Sequence, residues 1–114
     1  MRLEGFEEIM AWHKARELTV VVYMKFSESK DFGFRDQIQR ASISIMNNIA
    51  EGFERQSNNE FKHFLYVAKG SCGEVRSMLY AAKDLDKIPE EKFTGLYLLA
   101  KEISKILSGL IKTL

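Results

Sequence analysis

The residues best suited to chemistry lie between positions 55 and 83. Lys62, Tyr66, Lys69, Arg76, Tyr80 and Lys83 recur at three- and four-residue spacing or their sum. On a helix that spacing places them along one side. Lysine and arginine neutralise phosphates and tyrosine rings stack on unpaired bases, so the pattern points to nucleic acid. Arg55 and Lys62 extend the stripe around the turn that precedes it. The competing reading is a solvated flank whose tyrosines cover the edge of a core. The formal net charge is only +1 and the pI near 7.8, so nucleic-acid binding would have to come from a local patch.

A second constellation is RASISIMNNIAEGF, residues 40–53. At 100° per residue its apolar side chains, with Ile38, span roughly 200° of a helix. Arg40, Ser44, Asn47, Asn48, Glu51 and Arg55 fill the rest. A bundle core needs a narrower stripe. The excess width predicts a second buried surface such as a subunit interface, or else deep burial by bulky neighbours within one chain.

Catalytic patterns are weak. His13 and His63 are far apart, and His13 with Glu17 supplies two of the four ligands of a zinc site. Cys72 falls on an apolar stripe, where a buried small hydrophobe is expected rather than a nucleophile. Glu51 and Glu74 could form a carboxylate pair, but with Arg40 near both a structural network of Arg40, Asn47, Asn48, Glu51 and Glu74 is the better expectation. There is no glycine-rich phosphate loop. A non-enzymatic protein without cofactor or metal is therefore expected.

These residues must be positioned by helices. The chain has 114 residues, 46% hydrophobic and 29% charged, enough for one domain (1–114) with its own core. One cysteine excludes an internal disulfide. The start, MRLEGFEEIMAW, lacks the apolar core of a signal peptide, and LTVVVYM is too short to cross a bilayer. A cytoplasmic protein without membrane contact is expected.

Helical periods run almost throughout. Ala11, Ala15, Leu18, Val22 and Phe26 predict a helix over 5–26, despite the β-branched run at Val20–Val22. A second is predicted over 34–53. Ser57 and Glu60 form a capping box that opens a third, in which each side chain accepts from the other's backbone N–H. Its stripe is Phe61, Leu65, Ala68, Cys72, Val75, Leu79 and Ala82, ending near Asp86. Val67, Met78, Ala81 and Leu85 lie on another side of it. Pro89 at the first helical position starts a fourth, with a heptad seam of Phe93, Leu96, Ala100, Ile103, Leu107, Leu110 and Leu114. Short connections make neighbours antiparallel. The expected fold is all-α, an antiparallel up-down-up-down four-helix bundle.

Folding the second and third helices about Ser57 brings Arg40 level with Glu74. An interhelical ion pair is expected there. Small residues at Ala68, Gly70, Ser71 and Gly73 predict close approach of another backbone, with a local kink as the alternative.

QIQRASISIMNNIAEG (Gln37–Gly52) resembles the signature of the four-helix bundle proteins encoded in 23S rRNA intervening sequences. Trp12, Ala15 and Leu18 resemble that family's first helix. Phe61, Phe64, Leu65, Ala68, Gly70, Ser71 and Glu74 resemble its third, and Ile103, Leu107, Leu110, Ile111 and Leu114 its fourth. The chain departs from the family pattern in lacking a proline before the second helix and in reading Phe32-Gly33-Phe34 where Phe-Gly-Leu is usual. The resemblance implies a homo-oligomer, a pentamer as in related structures. It also implies kinship in fold with the accessory variability protein of diversity-generating retroelements, a basic pentamer that binds nucleic acid and its reverse transcriptase. The functional expectation is a non-enzymatic oligomeric bundle that binds RNA or other nucleic acid through the stripe on the third helix. The alternative is a scaffold that recruits a protein partner without nucleic acid.

Overall fold

The structure, a computed structural model, describes residues 3–114. A single 3-10 turn (Phe6–Glu8) precedes four helices, α1 (Met10–Phe26), α2 (Phe32–Phe53), α3 (Asn58–Asp84) and α4 (Glu90–Lys112). They pack sequentially and α4 closes on α1, so α1 and α3 sit on one diagonal and α2 and α4 on the other. The bundle measures 44 × 22 × 19 Å.

Local chemistry sets the helix ends. The predicted first helix is broken at Ile9, whose extended backbone turns its side chain into the core. Phe6 on the 3-10 turn meets Trp12 edge-on at 5.1 Å. Val20–Val22 are helical, because burying Val22 and Phe26 outweighs a small β-branched propensity cost. The second helix starts two residues earlier than predicted, since the Asp31 carboxylate accepts from the Phe34 N–H at 3.2 Å. At α3 only half of the predicted capping box forms. Ser57 Oγ accepts from the Glu60 N–H at 3.2 Å, while the Glu60 carboxylate accepts from the Ser57 hydroxyl at 3.3 Å.

The helix α3 stops at Asp84 in a Schellman turn. The Lys87 N–H reaches the Ala82 carbonyl at 2.7 Å and the Asp86 N–H reaches Lys83 at 3.1 Å. Asp86 takes the left-handed position, φ 56°, usually held by glycine. Pro89 lies one residue before α4 rather than inside it.

The core is the predicted set of stripes. Leu18, Val22, Ile38, Ile45, Ile49, Leu65, Cys72, Val75, Leu79, Ile103 and Leu107 have no accessible surface. The α4 seam holds from Phe93 to Leu107 and then shifts: Ile111 is buried and Leu110 and Leu114 only half so. A straight helix drifts about 20° per heptad, which rotates the last turn off a strict seven-residue repeat. The wide apolar arc of α2 is taken up mainly inside the chain, with Ile43, Met46, Ala50 and Phe53 half-buried. The extra flank of α3 divides: Met78 and Ala81 are half-buried, Met78 against the core, while Val67 is 40% exposed and Leu85, just past the helix end, 63%.

The close approach lies elsewhere than predicted. A Cβ on Gly52 would stand 2.6 Å from the Phe64 Cβ and 3.3 Å from the Phe61 carbonyl oxygen. Gly52 therefore lets α2 meet α3 where the two helices leave their turn. A Cβ on Gly70 meets nothing within 4 Å, and one on Gly73 meets only Arg76 Nη2 at 3.8 Å. Within one chain nothing offsets the helix cost of Gly70.

Candidate nucleic-acid interface

Two long seams flank α3. The seam with α2 carries the residues of the predicted polar ridge. Ser44 Oγ and Ser71 Oγ are 3.1 Å apart, and Asn48 Nδ2 donates to the Ser44 carbonyl at 2.8 Å. Glu74 takes a hydrogen bond from Gln37 Nε2 at 3.2 Å. The predicted Arg40–Glu74 ion pair is absent: both side chains line one groove, but their charges do not come within 4 Å. Gln37, one turn earlier on α2, occupies the Glu74 carboxylate, and Arg40 is exposed to water. Asn47 is also exposed. Glu51 pairs with Arg55 at 2.8 Å near the α2–α3 turn. Gln37 and Glu51 are fourteen residues apart on α2, about 21 Å along its axis, so Glu51 and Glu74 form no carboxylate pair. Buried polar groups between α1 and α2 went unforeseen. The Thr19 hydroxyl bonds the Ala15 carbonyl at 2.8 Å and the Ser42 carbonyl at 3.2 Å.

The basic and aromatic residues of α3 lie on its far side. Tyr66 is 56% and Tyr80 46% exposed, while Lys62, Lys69, Arg76 and Lys83 lie half-buried along the helix. Arg55 is held by Glu51 and by Glu60 at 3.8 Å, with its guanidinium 4.7 Å from the Phe64 ring. Its charge is thus largely matched.

Sequence reasoning missed the contribution of α4. Lys69 and Arg76 share a groove of about 390 Å³ with Lys101, Lys105 and Lys112. None of these five cations has a carboxylate within 4 Å among the described residues. The acids nearest in sequence are turned elsewhere: Glu102 pairs with Lys14 on α1 at 3.5 Å and Glu74 faces α2. The available signal was the spacing of Lys101, Lys105 and Lys112 around Ser108, which puts them on one α4 face.

At one end the groove meets an aromatic cluster. Tyr80 and Tyr97 stand edge-on at 5.4 Å, and Phe93 stacks on Tyr97 at 5.5 Å. The Lys83 ammonium lies 4.4 Å from the Phe93 ring centre. The neighbouring Tyr80 hydroxyl, then the positive charges of Lys101 and Arg76, hold the Tyr97 phenol below its ordinary pKa. One groove donor is unsatisfied: Arg76 Nε is buried without a partner.

Burial pushes the Cys72 thiol up to about 12, against the opposing pull of Arg76 and Lys69. His13 bonds the Glu7 carbonyl and His63 stands edge-on to Phe64 at 5.4 Å. Among the described residues no three His, Cys, Asp or Glu side chains gather as metal ligands. No described helix is long and apolar enough to cross a membrane.

The chain matches the 23S rRNA-intervening sequence protein family over residues 7–109. No curated protein matches it. Among solved structures it is similar to a Bacteroides thetaiotaomicron VPI-5482 protein of unknown function from the S23 ribosomal protein family. The two are 28% identical, with 90% of this chain and 99% of that one covered at a TM-score of 0.85. With four helices in the order that its sequence predicts, the chain belongs to the 23S rRNA-intervening sequence protein family.

Proposed function

We propose that the protein is a non-enzymatic, oligomeric bundle that binds RNA through the basic side of α3. The observation that carries this reading is the segregation of charge. A chain with net charge +1 turns Glu74, near Arg76, toward α2 and Glu102, next to Lys101, toward α1. A surface potential of one sign is what draws a polyanion, and it survives a near-neutral total. The lone cysteine needs no oxidising compartment, which fits work in the cytoplasm. The test is binding to a structured RNA across a salt series. Affinity falls steeply with salt, and charge reversal at Lys62, Lys69 and Arg76 weakens it further. Absence of salt-sensitive binding would remove the reading.

Self-association is the second part of the proposal. The open α3 flank around Val67, beside the uncovered Gly70, fits a second copy of this chain, and the exposed Leu85 just past the helix end extends it. The family resemblance in Gln37–Gly52 favours a pentamer. Light scattering gives about five times the 13.2 kDa of one chain if this is right and one times if it is not. The same open flank favours one alternative, a scaffold that holds a protein partner. A partner retained after nuclease treatment, together with failure to bind RNA, would support it.

A further inference from the structure

Resting on the RNA-binding reading, we infer that the α3/α4 groove is a single-strand site, with phosphates along Lys69, Arg76, Lys101, Lys105 and Lys112 and an unpaired base on Tyr80. The cations come from two antiparallel helices and face each other across one groove. They therefore follow a backbone laid along the groove rather than one laid across it. From Lys69 to Tyr80 the track is eleven residues of α3, about 16 Å at ~1.5 Å per residue.

Selectivity for single strands comes from the end of the track. Tyr80 is half-exposed, and its ring is braced by Tyr97 and Phe93 at 5.4 and 5.1 Å. A ring held by these neighbours loses little conformational freedom when a base stacks on its exposed part in place of the Lys83 ammonium, which lies 5.5 Å from the ring centre. A base inside a duplex has both faces covered by its neighbours and cannot reach such a platform. Arg76 provides the link between platform and track. Its buried Nε lacks a partner, and an unmade bond to a buried donor is a cost the folded chain carries. Swinging the guanidinium outward onto a phosphate relieves that deficit and gives it a planar fork of donors to offer.

The test uses the full chain and three probes of equal length: an unstructured single-stranded RNA, an RNA duplex, and an abasic strand that keeps the phosphates. Fluorescence anisotropy is read across a salt series. The single strand binds more tightly than the duplex, with a log–log salt slope near −3.5 for five phosphate contacts (about −0.7 each). Tyr80→Ala lowers single-strand affinity by about 5- to 150-fold at an unchanged slope, and Tyr80→Phe, which keeps the stacking face, restores it. Lys105→Ala with Lys112→Ala flattens the slope by about 1.4. On the abasic strand Tyr80→Ala binds like the parent. Equal affinity for duplex and single strand, or a Tyr80→Ala loss that persists on the abasic strand, overturns the single-strand site while RNA binding stands. Failure of the parent chain to bind any of the three at low salt overturns both.

Discussion

The two seams of α3 both pair it with an antiparallel neighbour and have opposite electrostatic characters. Along α2, polar groups of both signs meet: Gln37 occupies Glu74, Ser44 meets Ser71, and Arg40 shares its groove with Asp36 and Glu74. Along α4, five cations share a groove without an acid. The difference arises because acids are placed where another helix gives them a donor. Glu102 finds Lys14 and Glu74 finds Gln37, so removing them from the α4 side costs nothing in pairing. A nearly neutral protein thereby acquires a one-signed groove without carrying a large total charge.

The largest predicted effect sets the two seams directly against each other. Charge reversal at Lys101, Lys105 and Lys112 lowers RNA affinity at 0.1 M salt by at least about 100-fold, from three lost contacts at ~0.7 log units each per decade of salt. Arg40→Glu on the other seam leaves affinity within about twofold, since its groove already holds two acids. Equal losses from both would dissolve the distinction.

Next come the glycines. Gly52→Ala drives a Cβ into Phe64 and lowers unfolding free energy by about 1–3 kcal/mol in urea titration. Gly70→Ala meets open space and gains about 0.5–1 kcal/mol if that face is free. A loss at Gly70, growing with protein concentration, would instead mean that a second copy packs there.

A smaller effect belongs to the polar link. Ser71→Ala costs about 0.5–1.5 kcal/mol by removing the Ser44 contact. Arg40→Ala and Glu74→Ala, alone and combined, give additive and near-zero losses, because the two do not form a pair.

The smallest is a tie between the two connections at one end of the bundle, Lys87 Nζ to Asp31 Oδ2 at 3.1 Å. Lys87, and after it the Phe34 N–H, hold the Asp31 carboxyl below its ordinary pKa. A depressed folded pKa stabilises above the unfolded value, about 3.9, and the benefit is lost as pH falls through the folded value. Asp31→Asn keeps a capping oxygen and loses the charge. Its melting temperature therefore trails the parent near neutrality, and the gap narrows as the pH falls below about 3.9. A gap that ignores pH would place the whole effect in the cap.

Much of this architecture is legible in residue spacing. The α3 stripe from Leu65 to Ala82 is buried as its period requires, and Ser57 caps where a serine three before a glutamate should. What spacing could not give was the partner across a seam. The register of α2 on α3 was right to within a turn, but a shift of three residues hands Glu74 to Gln37 instead of Arg40. The spacing pointed to a close contact at Gly70, whereas the contact is at Gly52; only the separation of helix axes distinguishes them. The α4 lysines were overlooked because an amphipathic helix is expected to carry charge on its outer side. Their meaning depends on where Glu102 turns.

Cys72 gives the bundle an internal clock. It is the chain's only thiol, sits on the α3 stripe without accessible surface, and is kept protonated by a pKa near 12. A thiol reagent added to the native protein can therefore react only when α3 lifts from its neighbours. The labelling rate reports the free energy of that opening at a single position, without denaturant and without an introduced probe.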